Sequence, residues 1–387
     1  GSNNVALGYE SLLSNTTASN NTAVGYQAGF SNTTGTGVTA IGYKAGYANT
    51  TGNDLTAIGW QAGVASTGAN NTFVGSYAGI ANLGGSENTF VGKISGDANT
   101  TGSRNAALGY WSLSDSTTGS YNVALGDSAL KSNTTASNNV AVGYQAAYSN
   151  TIGTENTAVG VDALSANTTA NYNTALGRSA MLNNTTGHSN TAIGRYSLLS
   201  NTTGLYNTGV GRDTLRYNTA SDNTAFGFAA LSANITGDSN TGVGRTALTK
   251  NTTGTNNTAV GFDALANNTT ASSNVAVGYQ SAYTNTTGSL FTALGKGALY
   301  SNTTGERNTA IGYEAGYRNT TGDHNTAMGL QASYQNLTGS NNTAIGYGTL
   351  QNNLASFNTA LGKEALSQNT TASYNTANGW RALYYNT

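Results

Sequence analysis

The chain has no cysteine and no proline, and only 8% of its 387 residues are charged. Without cysteine there is no disulfide framework and no thiolate chemistry. That suits an extracellular fibre and a cytosolic protein equally. Without proline, no residue lacks a backbone donor, as expected where most N–H groups pair with a neighbouring strand. The formal net charge of −1 argues against nucleic acid or an anionic membrane surface as partner. No apolar run approaches the roughly twenty residues of a membrane helix, so this segment is expected to make no membrane insertion. No targeting leader is evident, so signals for secretion or anchoring are expected outside it. Low charge with abundant Asn, Thr, Ser and Gly can signal disorder. The strict placement of Val, Ile, Leu and Ala argues otherwise, because a disordered tract has no reason to keep a register.

What the chain does have is a glycine that recurs at a fixed interval. Gly8, Gly25, Gly42 and Gly59 begin the series and Gly346, Gly362 and Gly379 close it. There are 23 such anchors and 22 gaps, of which 19 are seventeen residues and three are sixteen. A chain that winds into like coils and stacks them needs such regularity, since each coil buries its apolar face against the next. The expected fold is all-β, a parallel β-solenoid (β-roll) of about 23 seventeen-residue coils. Residues 1–387 are read as a single continuous repeat domain. At about 4.8 Å per strand it would make a rod on the order of 110 Å long. Gly1-Ser2 matches the register of Gly35-Thr36, and Asn386-Thr387 that of Asn32-Thr33. The chain is therefore expected to be a fragment of a longer fibre.

Counted from the anchor, a coil reads N-T-A-(V/I/L)-G-(Y/R)-x-A-(L/G)-x-x-N-T-T-(G/A)-x-x. Thr or Val (Ala106 in one coil), then Ala, then an apolar residue precede the glycine, a short strand apolar on both faces. Asn378 is the one polar residue directly before an anchor, and Phe73, Phe90, Gly209 and Gly242 replace the alanine. An isolated solenoid strand should keep one wet face. Two dry faces imply that one packs inside the coil and the other against a neighbouring chain.

Three residues after the anchor the side chain is always small, as at Ala28, Ser95 and Thr214. The next two positions trade size: Leu130-Lys131 and Leu164-Ser165 against Gly29-Phe30, Gly46-Tyr47 and Ala147-Tyr148, with Gly96-Asp97 as an exception. The pair is expected to supply one volume by alternate routes. Two asparagine columns frame the strands, one seven after the anchor (Asn15, Asn32, Asn49) and one four before it (Asn4, Asn21, Asn71). Such asparagines bond their own turns and one another up a column. With Gly8, Gly25 and Gly42 they form the structural ladder of the repeat. The three deletions fall around Asn-Thr-Thr, which places the outer loop there. Asn-Thr-Thr is formally a glycosylation acceptor, but a ladder with threonine turns accounts for its spacing without modification.

Directly after the anchor lie Tyr9, Tyr26, Tyr43 and Trp60 in one run, and Arg178, Arg195, Arg212 and Arg245 in another, interrupted by Phe228. Lined up, these residues make a stripe that holds a glycan by stacking or self-associates by cation–π contact, or else shields a sheet edge with long stems. Catalysis has little to work with. His188 and His324 occupy variable loop positions, and Asp127, Asp162, Asp213 and Asp263 are scattered over different coils. No zinc, calcium or phosphate-cradling spacing is present. The chain is read as no enzyme, with no catalytic residue, cofactor or metal.

The stretches Asn138-Asn139-Val140-Ala141-Val142-Gly143, Ser273-Asn274-Val275-Ala276-Val277-Gly278 and Asn3-Asn4-Val5-Ala6-Leu7-Gly8 resemble the head repeats of trimeric autotransporter adhesins, N-S-V-A-I-G-x-x-S-x-A. Ser11, Ser95 and Ser112 fill the matching serine slot. The period is seventeen rather than fourteen, and Thr mostly replaces the first Val. The resemblance implies a left-handed β-roll, a homotrimer with three chains around one axis, and binding to host matrix or cell surfaces. The array is also similar to fibre shafts of phages and predatory bacteria. The functional expectation is a structural and adhesive fibre segment, stalk or head, on a cell surface or virion, with a glycan or protein receptor as partner. The alternatives are a phage tail-fibre shaft and, in another class, an ice-binding or glycan-binding solenoid.

Overall fold

A computed structural model describes residues 1–386 and divides the chain into two units, Gly1–Ala192 and Ile193–Thr387. Both are all-β and follow one plan. Each coil carries a single three-residue strand, from Val5–Leu7 and Thr22–Val24 to Thr359–Leu361 and Thr376–Asn378, and among the described residues there is no helix. In the first unit the strands from Val5–Leu7 to Thr174–Leu176 pair in sequence order, all parallel, each central residue above the next. In the second, those from Thr208–Val210 to Thr376–Asn378 do the same. Each unit is a parallel β-solenoid. The strand Thr191–Ile193 spans the division.

The strand's central residue points inward and its neighbours outward. Ala23, Ala40, Ala57, Ala141 and Ala158 are fully buried, while Thr22, Val24, Thr39 and Val159 are half-buried. The anchor glycine then turns the chain with φ near +130°, as at Gly25 (+131°) and Gly42 (+130°). This region is hostile to side chains. Space is equally short, because a Cβ on Gly25 would stand 2.6 Å from the carbonyl oxygen of Gly42. Three further residues per coil take left-handed angles: Asn20 (61°), Gln27 (52°) and Gly29 (61°) in one, Ser128 (57°), Leu130 (48°) and Asn138 (62°) in another. Each non-glycine residue there costs about 1 kcal/mol. Regular pairing between coils offsets it.

That pairing extends well beyond the strand. In the coil of Gly25, Gly25 N–H and Gln27 N–H donate backward to Leu7 and Tyr9, whereas Gly29, Ser31 and Thr33 donate forward to Ala45, Tyr47 and Thr50, all within 2.8–2.9 Å. Ala28 and Asn32 bond within their own coil. Proline would orphan an acceptor at nearly any of these places.

The asparagine columns lie inside the coils. Asn21 Oδ1 accepts from Val38 N–H (2.8 Å) and its Nδ2 donates to Gly35 O (3.1 Å), so one side chain ties two coils. Asn15, Asn32 and Asn49 each bond the carbonyl three residues ahead (3.4, 2.9 and 2.9 Å). The amide-to-amide chain runs lower down, as in Asn99 to Asn82 (2.7 Å) and Asn167 to Asn150 (2.8 Å), while Oδ1 of Asn15 and Asn32 is unpaired. In the second unit Asn268 donates to Asn251 (2.8 Å) and Ala271 O (3.1 Å) and accepts from Asn285 (2.9 Å). Asn268→Asp removes two donors and sets a buried carboxylate against two oxygens. A loss of about 3 kcal/mol at pH 7 is expected in urea unfolding. The buried carboxyl is harder to ionise than in the unfolded chain, so the deficit shrinks as the pH falls toward about 4.

The deletions fall in the turn after the asparagine corner. Asn218 and Asn353 bond the carbonyl two residues ahead rather than three (2.8 and 2.7 Å), and strand register resumes at Thr208↔Thr224 and Thr343↔Thr359.

Volume is traded differently from the sequence expectation. The fourth residue after the anchor points inward and the fifth outward, so the two cannot fill one space. Leu130 and Leu164 are fully buried. Phe30 and Tyr47 are only half-buried and stack on each other (ring centroids 5.0 Å). Compensation runs instead between the strand's inward residue and the fourth position. Where phenylalanine replaces the inward alanine, that position is glycine: a Cβ on Gly63 or Gly79 would lie 2.6 Å from the Phe73 ring, and one on Gly96 2.5 Å from that of Phe90. Where the inward residue is Gly242, Leu231 closes to 3.3 Å of its vacant Cβ position. A coil this narrow holds one large side chain per level.

Candidate interaction surfaces

The outward strand residues form a column that carries no charge in either unit. Its last member is large and apolar in every coil but the final one, which has Asn378: Leu7 is 66% exposed, Leu108 52%, Leu176 44% and Phe226 42%. Half-buried threonines such as Thr22 and Thr39 flank it. This is a contiguous strip of the kind that soluble monomers seldom leave open.

The position after the anchor forms a second column, which the anchor turn holds at the surface. In the first unit the rings of Tyr9, Tyr26, Tyr43 and Trp60 are stacked, with centroids 5.3, 5.3 and 4.2 Å apart and planes within 14°. Their faces are turned to one another, so solvent meets ring edges and hydroxyls. Arg178 lies in the same unit, exposed. In the second unit Arg212 and Arg245 flank the Phe228 ring (5.6 and 6.0 Å), Arg245 also covers Phe262 (5.4 Å), and Arg195 lies 4.4 Å over Tyr196. Within the first unit Tyr9, Tyr26, Tyr43 and Trp60 thus line up as rings on rings, and within the second Arg212, Phe228, Arg245 and Phe262 as guanidinium on rings.

Two neighbouring columns escaped the sequence reading. Two residues after the anchor, Gln27 bonds Glu10 (2.7 Å) and Arg381 bonds Glu364 (2.6 Å). Five before it, Arg104 bonds Glu87 (2.7 Å) and also reaches the Tyr121 hydroxyl. Complementary residues seventeen apart were the available signal. Each exposed pair contributes little to stability. The Asn-Thr-Thr threonines donate to the next coil, Thr33 to Thr50 O and Thr252 to Thr269 O (2.9 Å each). The hydroxyls of Thr33 and Thr252 are thus committed to stacking, while the second threonine of each triplet, Thr34 and Thr253, is exposed. The Asn-Thr-Thr amides are likewise inside, as at Asn32 and Asn99.

The Asp97 carboxyl lies well above its ordinary range. Burial pushes it up to about 6, assisted by Asp115 and opposed by its own N–H, that of Ala98 and Lys131. Its Oδ1 is buried and unpaired. With the folded-state value above the unfolded one, the protonated side chain favours the fold. Stability from this group is full below pH 4 and falls as the pH rises through 6. Asp97→Asn should raise the melting temperature at pH 8 and leave it near wild type at pH 3.5.

His188 and His324 lie in coil turns, and among the described residues no group of three His, Asp or Glu side chains is placed to hold a metal and there is no pocket. No family model matches the chain, and no curated protein matches it. The fold defines a class nonetheless, the parallel β-solenoid repeat proteins.

Proposed function

We propose that this chain is a structural and adhesive segment of a fibre, displayed outside a cell or virion, in which three copies associate through their outward strand columns. The observation that carries the reading is the uncharged apolar strip, with Leu7, Ile41, Leu125 and Leu176 all more than a third exposed. Burying it would return about 25 cal/mol per Å² of apolar surface, and its regular rise suits a partner of the same period. The resemblance to trimeric adhesin heads supports the same arrangement, left-handed coils included. The strip's uniformity makes it a poor selective receptor site. The varied column after the anchor would remain on the outside of the trimer to meet a glycan or protein receptor.

Beads coated with the chain should adhere to host cells or matrix well above beads coated with an unrelated β-solenoid. Adhesion at the background level would overturn the adhesive role and favour a tail-fibre shaft, whose specificity resides in a separate tip.

A further inference from the structure

The second unit carries a basic feature that the near-neutral composition hides. Backbone bonds from Asp213 to Arg195 (3.0 Å), Ala229 to Arg212 (3.0 Å), Thr246 to Phe228 (2.9 Å) and Asp263 to Arg245 (3.1 Å) place Arg195, Arg212, Phe228, Arg245 and Phe262 one per coil in a single file. All three arginines are exposed. Arg216 joins them, 5.0 Å over the same Tyr196 ring that Arg195 covers.

The acids of this face leave charge over. Asp213 meets both Arg212 and Arg216 at 3.0 Å. Asp263 accepts from the Thr246 hydroxyl. Arg245 makes no ion pair among the described residues, and Arg195 bonds the Tyr196 hydroxyl (3.0 Å) rather than a carboxylate. Four arginines against two aspartates leave the face at +2, in a chain whose net charge is −1.

We propose that this arginine–aromatic file is a binding surface for an acidic polysaccharide, one bearing sulfate or carboxylate groups at regular intervals. The proposal rests on the adhesive reading above and names its ligand class. Three features favour it. The rings hold the guanidinium stems, so less side-chain freedom is lost when an anion docks. The planar donor fork suits sulfate and carboxylate bidentately. Arginines one and two coils apart stand about 5 and 10 Å apart along the stack, a sparse straight row that an extended polyanion can follow with no pocket to enter. A nucleic acid, with its dense phosphate charge, would need a broader basic surface.

The test uses the full chain with heparin as probe, neutral dextran and single-stranded DNA as controls, and surface plasmon resonance as readout. Wild type should bind heparin, ignore dextran and prefer heparin to DNA. The Arg195→Gln/Arg212→Gln/Arg245→Gln variant should lose at least tenfold in affinity and show a shallower salt dependence. The matching Arg→Lys variant should lose less, and Arg381→Gln, in the neighbouring column two residues after the anchor and far along the chain, should match wild type. Circular dichroism melts identify any variant that fails to fold, and for that case Arg245→Gln alone, which breaks no ion pair, should still lose about threefold. No heparin binding by wild type, unchanged binding by a folded triple variant, or tighter binding to DNA would each overturn the proposal. Bead adhesion by wild type that survives the triple variant would sink this inference and leave the adhesive role standing. Loss of all adhesion by wild type would sink both.

Discussion

Gly143→Ala should destabilise its unit by at least about 3 kcal/mol, enough to halt stacking at that coil. Two costs combine. Gly143 has φ +131°, where an L residue is strained by about 1–3 kcal/mol. The added Cβ would also sit 2.7 Å from both the carbonyl carbon and oxygen of Gly160, which are backbone atoms that cannot swing aside. Relief would require the coils to part, which weakens the bond from Gly160 N–H to Val142 O (2.8 Å). Urea unfolding followed by circular dichroism would measure the loss. As a control, Gly84→Ala changes a loop glycine whose Cβ would meet nothing within 4 Å, and it should be close to neutral. Equal tolerance at both glycines would mean that the anchors are not stacked as described.

The second large effect concerns the outward column. Leu108 and Leu125 lie in consecutive strands and are 52% and 36% exposed. Leu108→Glu with Leu125→Glu should leave the coil itself intact, because neither side chain contributes to its interior. In a trimer the same change buries six carboxylates around one axis without counter-charges. The penalty is several kcal/mol per assembly, so association should weaken by at least a hundredfold. Sedimentation at micromolar concentration should then find monomers whose far-ultraviolet spectrum matches wild type. Leu108→Thr with Leu125→Thr, which copies the flanking threonines, should weaken association far less. A trimer that survives the glutamates would move the interface to another face.

The period, the strands and the parallel architecture were legible because glycine, alanine and asparagine each answer a constraint that repeats with the backbone. The anchor at Gly25 can be nothing else, and Asn21 must both donate and accept between coils. What was not legible was direction. A left-handed residue such as Leu130, with φ 48°, resets which way the next side chain points, so Leu130 and Lys131 read as alternates when they face opposite ways. The exchange of Phe73 against Gly63 and Gly79 spans two coils, and no reading confined to one coil finds it. The stripe was legible as a list of residues but not as geometry. Sequence spacing put Tyr26 beside Tyr43, yet only the structure turns their faces together and sets Arg212 and Arg245 on either side of Phe228.

Sedimentation equilibrium on the unaltered chain bears most directly on the reading of this solenoid as a self-associating fibre segment. The mass expected at micromolar concentration is three times the 39.3 kDa of one chain. A single species of 39.3 kDa across that range would contradict it.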